Sequence, residues 1–506
     1  MPRVSPRTAT AGALAAGTAG AIVAAALLRQ RQKEQHEQTG VAGGSHPIRH
    51  SSQSARNAQL ARVGAKAGAG FAAHRAKRVF ASAERRAALD RQYELKTAEQ
   101  VAEALGNMKG AMMKLGQMAS YLDQGLPEHV RSALADLQKD APPMHPELAA
   151  DMVAAELGGA PDEVFATWDA TPIASASIGQ VHRAITHEGE AVAVKVQYPG
   201  VDEAMAADLD NVGLLFAGMA QLFPGFDHKP FVEELRARLA EELDYHNEAR
   251  NQTLFADHYA GHPYIHVPRV VERYSTARVL TTELAEGVHW DELLTWSQAE
   301  KDLAAETLYR FAFGSLYQLG AFNGDPHPGN YLFRPGGHVT FLDFGLVRHF
   351  TEDELEPFGE MIRWMVLEPD PVRFRKTLER VGLLRSGEPF TDDEVIDYFG
   401  HFYEFVMRDG TYTIEPEYAS ETVRRFFDQR GPYGEIMKAA NLPPEFVIIQ
   451  RINLGLYALF GELRATGNWR RLAEEIWPFV AGPPSTPMGE AIAAWAADRT
   501  TDTVGG

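Results

Sequence analysis

Hydrophobic and polar positions between residues 172 and 196 predict strands joined by tight turns. Pro172–Ala184 places a run of small residues between two extended segments, and Ala191–Val196 follows a glycine turn. Ala191–Val196 is a short, valine-rich apolar run bounded by turn signals, which is typical of a buried strand. Val279–Thr282 has the same character. We therefore expect a strand-rich lobe that begins near Trp168.

Helical patterns dominate the chain before and after these strands. Helices are predicted over Thr97–Leu137 and Glu233–Asn251, and residues 352–480 are predicted to be entirely helical. Within residues 331–342 the pattern changes, because Tyr331–Phe333 and Val339–Leu342 are short apolar runs on either side of a Pro-Gly-Gly turn. Two such runs around a glycine-containing turn predict a β-hairpin.

The predicted hairpin connects two acidic motifs that together indicate phosphate and metal chemistry. Asp325 and Asn330 form D-x-x-x-x-N in a loop rich in proline, and Asp343 opens D-F-G after the hairpin. A kinase needs one carboxylate near the attacking group, plus an amide oxygen and a second carboxylate on Mg²⁺. Either motif alone also fits an ordinary turn. Their order around the hairpin favours a site in which Asp325 is catalytic and Asn330 and Asp343 bind the metal.

The lysine in the strand Ala191–Val196 is the candidate phosphate-binding cation. The segment matches the V-A-I-K pattern, whose lysine binds the α- and β-phosphates of ATP. The turn before it consists of the small residues Ala174, Ser175, Ala176 and Ser177. Backbone N–H groups in such a turn can approach phosphates. A strand lysine can instead protect a sheet edge, but the position of Lys195 between this loop and Asp325 favours the nucleotide role.

A buried lysine needs a carboxylate partner, because an unpaired buried charge is unfavourable. The predicted helix Glu233–Asn251 offers four candidates, which are Glu241, Glu242, Asp244 and Glu248. Sequence alone does not select among them.

The segment after the strand Val279–Thr282 is the candidate adenine contact. It has the sequence Glu-Leu-Ala-Glu-Gly, starting at Glu283. In a two-lobed kinase the linker at this place hydrogen-bonds adenine, so Glu283 and Ala285 are candidate nucleotide contacts.

Lys114 and Gln117 lie three residues apart in the helical pattern Thr97–Leu137. Side chains at that spacing share one helix face, so both can point at one target. Taken alone, the pair fits an ordinary amphipathic helix better.

Composition and charge narrow the class of protein. The 506 residues contain no cysteine, which excludes disulfides, thiolate metal sites and a cysteine nucleophile. The net charge is −19, yet residues 1–96 carry 16 Lys and Arg against 5 Asp and Glu, so the remainder carries −30. The acidic body argues against binding to nucleic acid, whereas the basic leader suits an anionic membrane surface.

The uncharged run Thr10–Leu28 is a candidate membrane anchor, since its length nearly matches a hydrocarbon core of about 30 Å. A soluble alanine-rich leader and a cleaved signal peptide are the alternatives. Small residues four apart, such as Ala13 and Gly17, would let two such helices pack closely, which favours a homodimer. If the run spans a membrane, the basic residues after it place the rest of the chain on the cytoplasmic side.

In this order, the motifs resemble the UbiB family of atypical, protein-kinase-like proteins, over roughly Thr97–Trp477. The resemblance implies an α+β fold with two kinase-like lobes, an N-terminal helical extension and a mostly helical C-lobe. It also implies binding of ATP or ADP with Mg²⁺, slow ATPase activity, and a role in isoprenoid-quinone or other lipid metabolism at membranes.

The resemblance also implies roles for individual residues. Lys114 and Gln117 look like the family's K-x-G-Q motif, on an extension that folds over the site and obstructs protein substrates. Glu242 and Asp244 look like its E-x-D motif, which cooperates with that extension. Glu248 then becomes the expected partner of the nucleotide lysine.

The resulting domain prediction has six segments. They are 1–35, a leader with a candidate transmembrane helix; 36–96, a linker and basic helix; 97–167, the helical extension; 168–286, the N-lobe; 287–480, the C-lobe; and 481–506, a flexible tail.

Three features depart from the family's pattern, and one of them is that the candidate anchor lies at the N-terminus, whereas some family members are anchored at the C-terminus. Ser175 stands where the family usually has the middle alanine, and Phe322–Gly324 stands where His-Ala commonly precedes the aspartate. The chain also returns to helix by about Glu352, without the long activation segment and A-P-E motif of ordinary protein kinases.

The sequence therefore predicts a membrane-associated, Mg²⁺-dependent ATPase or atypical kinase. Its expected partners are an anionic membrane lipid or isoprenoid lipid and enzymes of quinone biosynthesis. A nucleotide-gated scaffold that binds ATP without useful turnover is the main alternative. A small-molecule phosphotransferase shares the two acidic motifs, but the Lys114 and Gln117 extension argues against it.

Overall fold

The computed structural model describes residues 146–176, 178–202, 243–427, 431–441 and 443–504. Within them the chain has an α+β fold of two lobes, as predicted: an antiparallel sheet with helices beside it, followed by a larger helical part. The candidate anchor Thr10–Leu28 and the predicted helix Thr97–Leu137 lie outside the described residues. No helix in the described part of the chain is long and apolar enough to cross a membrane.

The N-terminal lobe contains a five-stranded sheet formed by β1 (Thr167–Trp168), β2 (Ala174–Ser175), β3 (Gly179–Ile185), β4 (Ala191–Gln197) and β6 (Val279–Glu283). Its strand order is β1-β3-β4-β6, and β2 also pairs with β3. All of these pairings are antiparallel. The helices of this part are α1 (Pro146–Leu157), α2 (Pro161–Val164) and α3 (Tyr245–His258). Strand β5 (Ile265–His266) follows α3 and pairs in parallel with Val339 and Thr340 of the second lobe.

Buried and less buried residues alternate along β4, which shows which face of the sheet packs against the core. Val192, Val194 and Val196 are buried and share a core with Met152 of α1 and with Phe165. Because successive strand residues point to opposite faces, Lys195 lies on the other face. Since α1 packs into the sheet's own core, residues 146–167 belong with this lobe, although they were predicted to be part of the helical extension.

The C-terminal lobe is mostly helical. Its elements are α4 (Trp290–Leu293), α5 (Gln298–Leu319), β7 (Ala321–Asn323), β8 (Tyr331–Arg334), β9 (His338–Phe341), β10 (Val347–His349), α6 (Glu352–Ile362), α7 (Pro371–Arg380), α8 (Asp392–Phe399), β11 (Tyr412–Thr413), α9 (Pro416–Phe427), α10 (Gly434–Ala439), α11 (Pro444–Leu463), β12 (Thr466–Gly467), α12 (Trp469–Ile476) and α13 (Pro487–Val504). Short helical turns lie at Glu272–Tyr274, Pro328–Asn330, Arg363–Leu367 and Gly400–Val406.

Helix α5 is the centre of this lobe and delivers the chain to the acidic loop. The Ser297 hydroxyl caps its first turn, and Leu308 and Phe311 are buried against neighbouring elements. The helix ends at Gly320, whose φ of +58° is the left-handed conformation that glycine adopts most easily. A side chain there would also meet the Phe350 carbonyl oxygen at 2.7 Å. The chain therefore turns sharply into β7.

The predicted hairpin is confirmed. Strands β8 and β9 pair in antiparallel register from Tyr331 opposite Phe341 to Arg334 opposite His338. The connecting turn has φ of +83° at Gly336 and +80° at Gly337, which explains the two glycines. Strand β7, just before the acidic loop, pairs with β10, just after D-F-G.

Three predictions about the fold are wrong. The helix predicted over Glu233–Asn251 is not continuous, because Asp244 is extended and its carboxylate caps a new helix at Tyr245. Residues 352–480 are not entirely helical, since β11 pairs with β12. Residues 487–504 are not a loose tail, because they form α13, where Met488 is buried and the Trp495 indole donates to the Ala260 carbonyl at 3.2 Å.

Candidate nucleotide and metal site

A buried ion pair joins the sheet to α3. The Lys195 ammonium donates to both carboxylate oxygens of Glu248, at 2.7 and 2.8 Å. Glu248 is only 5% exposed and lies in the first turn of α3, where the helix dipole favours a negative charge. Of the described candidates for the partner of the lysine, the structure therefore places Glu248 against it.

The environment of Lys195 keeps its ammonium charged. Burial alone would lower the pKa of Lys195, but the carboxylates of Glu248 and Asp343 outweigh it and hold that pKa well above its usual value. The Tyr245 ring lies 5.1 Å from the ammonium and adds a cation–π contact. The cleft thus contains a fixed positive charge.

Asp343 faces the same ammonium from the other side of the cleft. Its Oδ2 lies 3.9 Å from Lys195 Nζ, and its Oδ1 accepts from the Gly345 backbone N–H at 2.9 Å. The side chain is 35% exposed, so it is open toward the cleft. A Cβ at position 345 would lie 3.3 Å from Asp343 Oδ1, tighter than most Cβ contacts. The glycine of D-F-G therefore gives the carboxylate room.

The loop Asp325–Asn330 is held by its own hydrogen bonds. The Asn330 side-chain amide donates to the Asp325 carbonyl oxygen and to Asp325 Oδ2, both at 3.1 Å. His327 Nδ1 accepts from the Gly329 backbone N–H at 3.0 Å. The two members of D-x-x-x-x-N are therefore in direct contact, which the spacing alone did not establish.

Asn323 connects this loop to the D-F-G segment. Its Oδ1 accepts from the Asp325 backbone N–H at 3.2 Å, and its Nδ2 donates to the Asp343 carbonyl oxygen at 2.8 Å. Burial raises the pKa of the Tyr331 hydroxyl, and the charges of Asp325 and Asp343 raise it further, so both carboxylates lie near one ring. The two acidic motifs thus meet in one cleft.

Helix α3 also contacts the D-F-G backbone. The Asn251 side-chain amide donates to the Phe344 carbonyl oxygen at 3.1 Å. Phe344 is fully buried, and its ring centroid lies 5.0 Å from that of Phe255. The helix that carries Glu248 is therefore tied to the segment that carries Asp343.

The small-residue loop lies on the same face of the sheet as the lysine. Ala174 pairs with Val181, and Val181 pairs with Lys195. Residues directly opposite each other in neighbouring strands point to the same side. The loop closes through the Ala176 N–H, which donates to the Gly179 carbonyl at 2.8 Å. Ser175 belongs to β2, and Ser177 lies outside the described residues.

Two backbone N–H groups in the linker predicted to contact adenine already donate hydrogen bonds to neighbouring segments. The Glu283 N–H donates to the Arg269 carbonyl at 2.9 Å, and the Leu284 N–H donates to the Ala191 carbonyl at 3.0 Å. Gly287 lies against the hairpin, where a Cβ would meet that of Leu332 at 2.9 Å. Ala285 lies between these two anchored parts.

Of the remaining predicted residues, the structure describes only Asp244. Lys114, Gln117 and Glu242 lie outside the described residues. The Asp244 carboxylate accepts from the His246 N–H at 3.0 Å, so in this structure it is a helix cap.

Comparison with known proteins identifies the family. A family model of the ABC1 atypical kinase-like domain matches residues 136–373, which contain the sheet, both acidic motifs and the hairpin. A solved structure from Mycobacterium tuberculosis, the complex of Rv3197 with erythromycin, has a TM-score of 0.59 at 32% identity. The match covers 78% of this chain and 99% of that one. The chain belongs to the ABC1 family of atypical kinase-like proteins.

Curated relatives agree with this family. The chain is 30% identical over 380 residues to the Synechocystis protein sll0095, a match that covers 73% of this chain and 64% of that protein. It is 32% identical over 268 residues to the mitochondrial atypical kinase COQ8B of Rattus norvegicus, covering 53% of this chain and 51% of COQ8B. The chain thus spans from about half to under two thirds of the length of these relatives. The resemblance to UbiB proteins and the kinase-like fold are confirmed.

The ABC1 site has a donor set that suits Mg²⁺. The described residues contain no cluster of three or more His, Asp or Glu side chains that could hold a metal alone. Mg²⁺ is typically bound by one or two protein oxygen ligands together with substrate phosphates. Asp343 supplies a carboxylate, and Asn330 uses its amide nitrogen on Asp325, which leaves its oxygen as the atom suited to a cation. These residues fit a metal that arrives with the nucleotide.

Two residues that position the acidic motifs of the site were not predicted from the sequence. Asn323 was noticed only as a departure from His-Ala, and Asn251 was not considered. Asn251 lies three residues after Glu248, a spacing that places both on one face of α3, so helix periodicity could have found it. The link from Asn323 to Asp343 depends on the pairing of β7 with β10, which no local pattern in the sequence reveals.

Proposed function

We propose that this protein is a membrane-associated, Mg²⁺-dependent atypical kinase or ATPase that supports isoprenoid-quinone or other lipid metabolism. One observation carries the nucleotide part of the proposal. The Lys195 ammonium, on a side chain that is only 18% exposed, lies 2.7 Å from Glu248 and 3.9 Å from Asp343, so a paired positive charge and a partly open carboxylate lie next to each other.

Each residue of the cleft has a proposed role. Lys195 binds the α- and β-phosphates, and Glu248 fixes the direction of its ammonium. Asn330 and Asp343 would hold Mg²⁺, which would supply charge neutralisation at the phosphates. Asp325 positions or deprotonates the acceptor, which for an ATPase is water.

The nucleotide's remaining contacts come from the backbone. The loop Ala174–Ser177 would cover the phosphates with its N–H groups, and Glu283 and Ala285 would contact adenine. Lys114 and Gln117 of the K-x-G-Q motif, with Glu242 and Asp244 of the E-x-D motif, would close the site against protein substrates.

The short connection after D-F-G supports an ATPase or small acceptor over a protein kinase. Strand β10 begins at Val347 and α6 begins at Glu352, so only a few residues follow Gly345 before the chain is again in regular structure. An ordinary protein kinase binds its protein substrate on a long segment at this point. A compact connection leaves no comparable docking surface here.

The membrane part of the proposal depends on charge. Residues 1–96 carry 16 basic against 5 acidic residues, and a basic segment of this kind is attracted to anionic lipid. The relative COQ8B is named as mitochondrial and two others as chloroplastic. We propose an anionic or isoprenoid lipid, and enzymes of quinone biosynthesis, as partners.

Phosphate release from Mg·ATP, with and without anionic liposomes, tests the proposal. We expect turnover that liposomes stimulate and that Asp343→Asn abolishes, while Lys114→Ala changes its rate. Tight binding of Mg·nucleotide without turnover under any condition would contradict the enzymatic proposal and support the nucleotide-gated scaffold instead.

A further inference from the structure

A large cavity lies inside the helical lobe, separate from the nucleotide cleft. Its volume is about 470 Å³, and residues of α5, α6, α7, α8, α10 and α11 line it. None of the nucleotide-site residues lines it. Ligand sites for small molecules usually occupy about 300–1,000 Å³, so this cavity has the size of a binding site. Its lining includes the exposed residue Asn441, where the cavity reaches the surface.

The walls of the cavity carry no charged side chain among the described residues. Aromatic rings dominate them, including Phe374, Phe402 and Trp477. Burial raises the pKa of the Tyr403 and Tyr457 hydroxyls, so these phenols stay neutral. An anionic ligand such as a nucleotide or a phosphate would find no counter-charge here.

Three polar atoms of two amide side chains on α11 are buried beside this apolar space without hydrogen-bond partners. Both polar atoms of the Gln450 amide are buried and unpaired, and so is Asn453 Oδ1. The two residues are three apart, so they lie on one face of the helix, and both line the cavity. Buried amides without partners are rare because they lose their hydrogen bonds to water and gain none in return. Their position indicates that a ligand satisfies them.

We propose that this cavity binds an uncharged amphiphile, whose hydroxyl head lies between Gln450 and Asn453 and whose apolar tail lies along the aromatic walls. A hydroxyl group both donates and accepts, so it can satisfy the acceptor oxygen of Asn453 and the donor of the Gln450 amide together. A fatty alcohol or a prenyl alcohol has this chemistry. The site is distinct from the nucleotide cleft, and the inference does not depend on ATP turnover.

Calorimetric titration of the full-length protein with two isomers tests the inference. The probes are 1-dodecanol and methyl undecyl ether, which have the same atoms, although only the alcohol donates a hydrogen bond. We expect the alcohol to bind about tenfold more tightly, the effect of one buried hydrogen bond. Dodecanoate, which brings a charge, should bind more weakly than the alcohol.

The Gln450→Leu variant separates ligand recognition from stability. Whereas Asn453→Leu should reduce the affinity for 1-dodecanol to that for the ether, Gln450→Leu should weaken the binding of both isomers, because either oxygen can accept from the Gln450 amide. Gln450→Leu should also raise the melting temperature of the free protein, since it removes unpaired buried polar atoms. The matched control is Gln197→Leu, because the Gln197 amide is also buried but donates to the Leu243 carbonyl at 2.7 Å. That change should lower the melting temperature and leave alcohol binding unchanged.

Several results would overturn the inference. Equal affinity of the native protein for the two isomers would show that the amides recognise no hydroxyl group, and absence of binding by either would show that the cavity takes no such ligand. Unchanged alcohol binding in both Gln450→Leu and Asn453→Leu would place the ligand elsewhere. The isomer comparison uses native protein, so it stands even if a variant fails to fold.

Discussion

Asn323 donates its side-chain amide to the backbone carbonyl of Asp343, and the distance is 2.8 Å. The same side chain accepts from the Asp325 N–H at 3.2 Å. One amide thus sets the separation between the acidic loop and the D-F-G segment. This explains how the chain holds its two acidic motifs at a fixed separation.

Replacing Asn323 by alanine should therefore reduce ATP turnover. Removing a residue that orients a metal ligand typically reduces activity or metal affinity by about 10- to 100-fold, and we expect a loss in that range with a weaker apparent affinity for Mg²⁺. Steady-state phosphate release at several Mg²⁺ concentrations measures both. Asn468→Ala is the control, because Asn468 caps α12 far from the motifs in sequence and should affect stability alone. Equal losses in both variants would mean that Asn323 acts only on stability.

The Lys195–Glu248 pair should be energetically coupled. Breaking a buried ion pair by removing one partner destabilises a protein by about 3–5 kcal/mol, because the other charge stays buried and alone. We expect Glu248→Leu to lower the free energy of unfolding by at most that amount, because Asp343 Oδ2 still lies 3.9 Å from the Lys195 ammonium. The double variant Lys195→Met with Glu248→Leu should recover much of the loss. Denaturant unfolding at neutral pH measures the native protein, Lys195→Met, Glu248→Leu and the double variant. Additive effects of the two single changes would show that the charges do not interact.

Helix α11 packs against the acidic loop where Gly455 faces Pro326. A Cβ added at Gly455 would overlap the Pro326 ring. Gly455→Ala should therefore displace the loop and lower turnover, although alanine favours helix over glycine by about 1 kcal/mol. Gly410→Ala is the matched control, since a Cβ there meets nothing within 4 Å. The explanation fails if Gly455→Ala turns over ATP as fast as the control.

His262 should make stability depend on pH. Burial lowers the pKa of His262 to about 3, and its Nδ1 accepts from the Ile265 N–H at 2.9 Å. Because the folded protein holds this ring neutral while the unfolded chain protonates near pH 6.5, the stabilisation is complete above pH 6.5. It is lost as the pH falls from there toward 3, by about 2 kcal/mol at pH 5.

Replacement of this histidine provides the check. The ring of His262 packs against that of Trp495 on α13, with centroids 4.7 Å apart. We expect His262→Phe to flatten the stability profile between pH 5 and 7, as followed by denaturant unfolding. The same slope in native protein and variant would assign the pH dependence to other groups.

Local patterns predicted the parts of the site that are close in sequence. Asp325 and Asp343 are joined by one loop and one hairpin, so turn residues and short apolar runs were enough to bring them together. The strand that carries Lys195 was likewise evident from its valines. The helix pattern left Glu248 as one of four candidate partners of Lys195, and only the resemblance to the UbiB family pointed to it. The structure places it in the first turn of the helix that begins at Tyr245.

Contacts between distant segments could not be predicted from one sequence. The docking of α13 depends on Trp495 meeting the Ala260 carbonyl, and the apolar cavity depends on how α5 and α11 pack. An alanine-rich tail and an apolar helix face are compatible with many packings. Which of these packings forms depends on the shapes of the side chains and on hydrogen bonds between distant segments, and the periodicity of the sequence reports neither.

The central claim is that the cleft between Lys195 and Asp343 binds a nucleotide together with Mg²⁺. Calorimetric titration with ATP, in the presence and absence of Mg²⁺, tests it directly in the native protein, in Asp343→Asn and in the surface control Asp409→Asn. We predict that Mg²⁺ strengthens ATP binding in the native protein and the control, and that Asp343→Asn loses this Mg²⁺ effect. Equal Mg²⁺ dependence in all three proteins, or no nucleotide binding at all, would contradict the account.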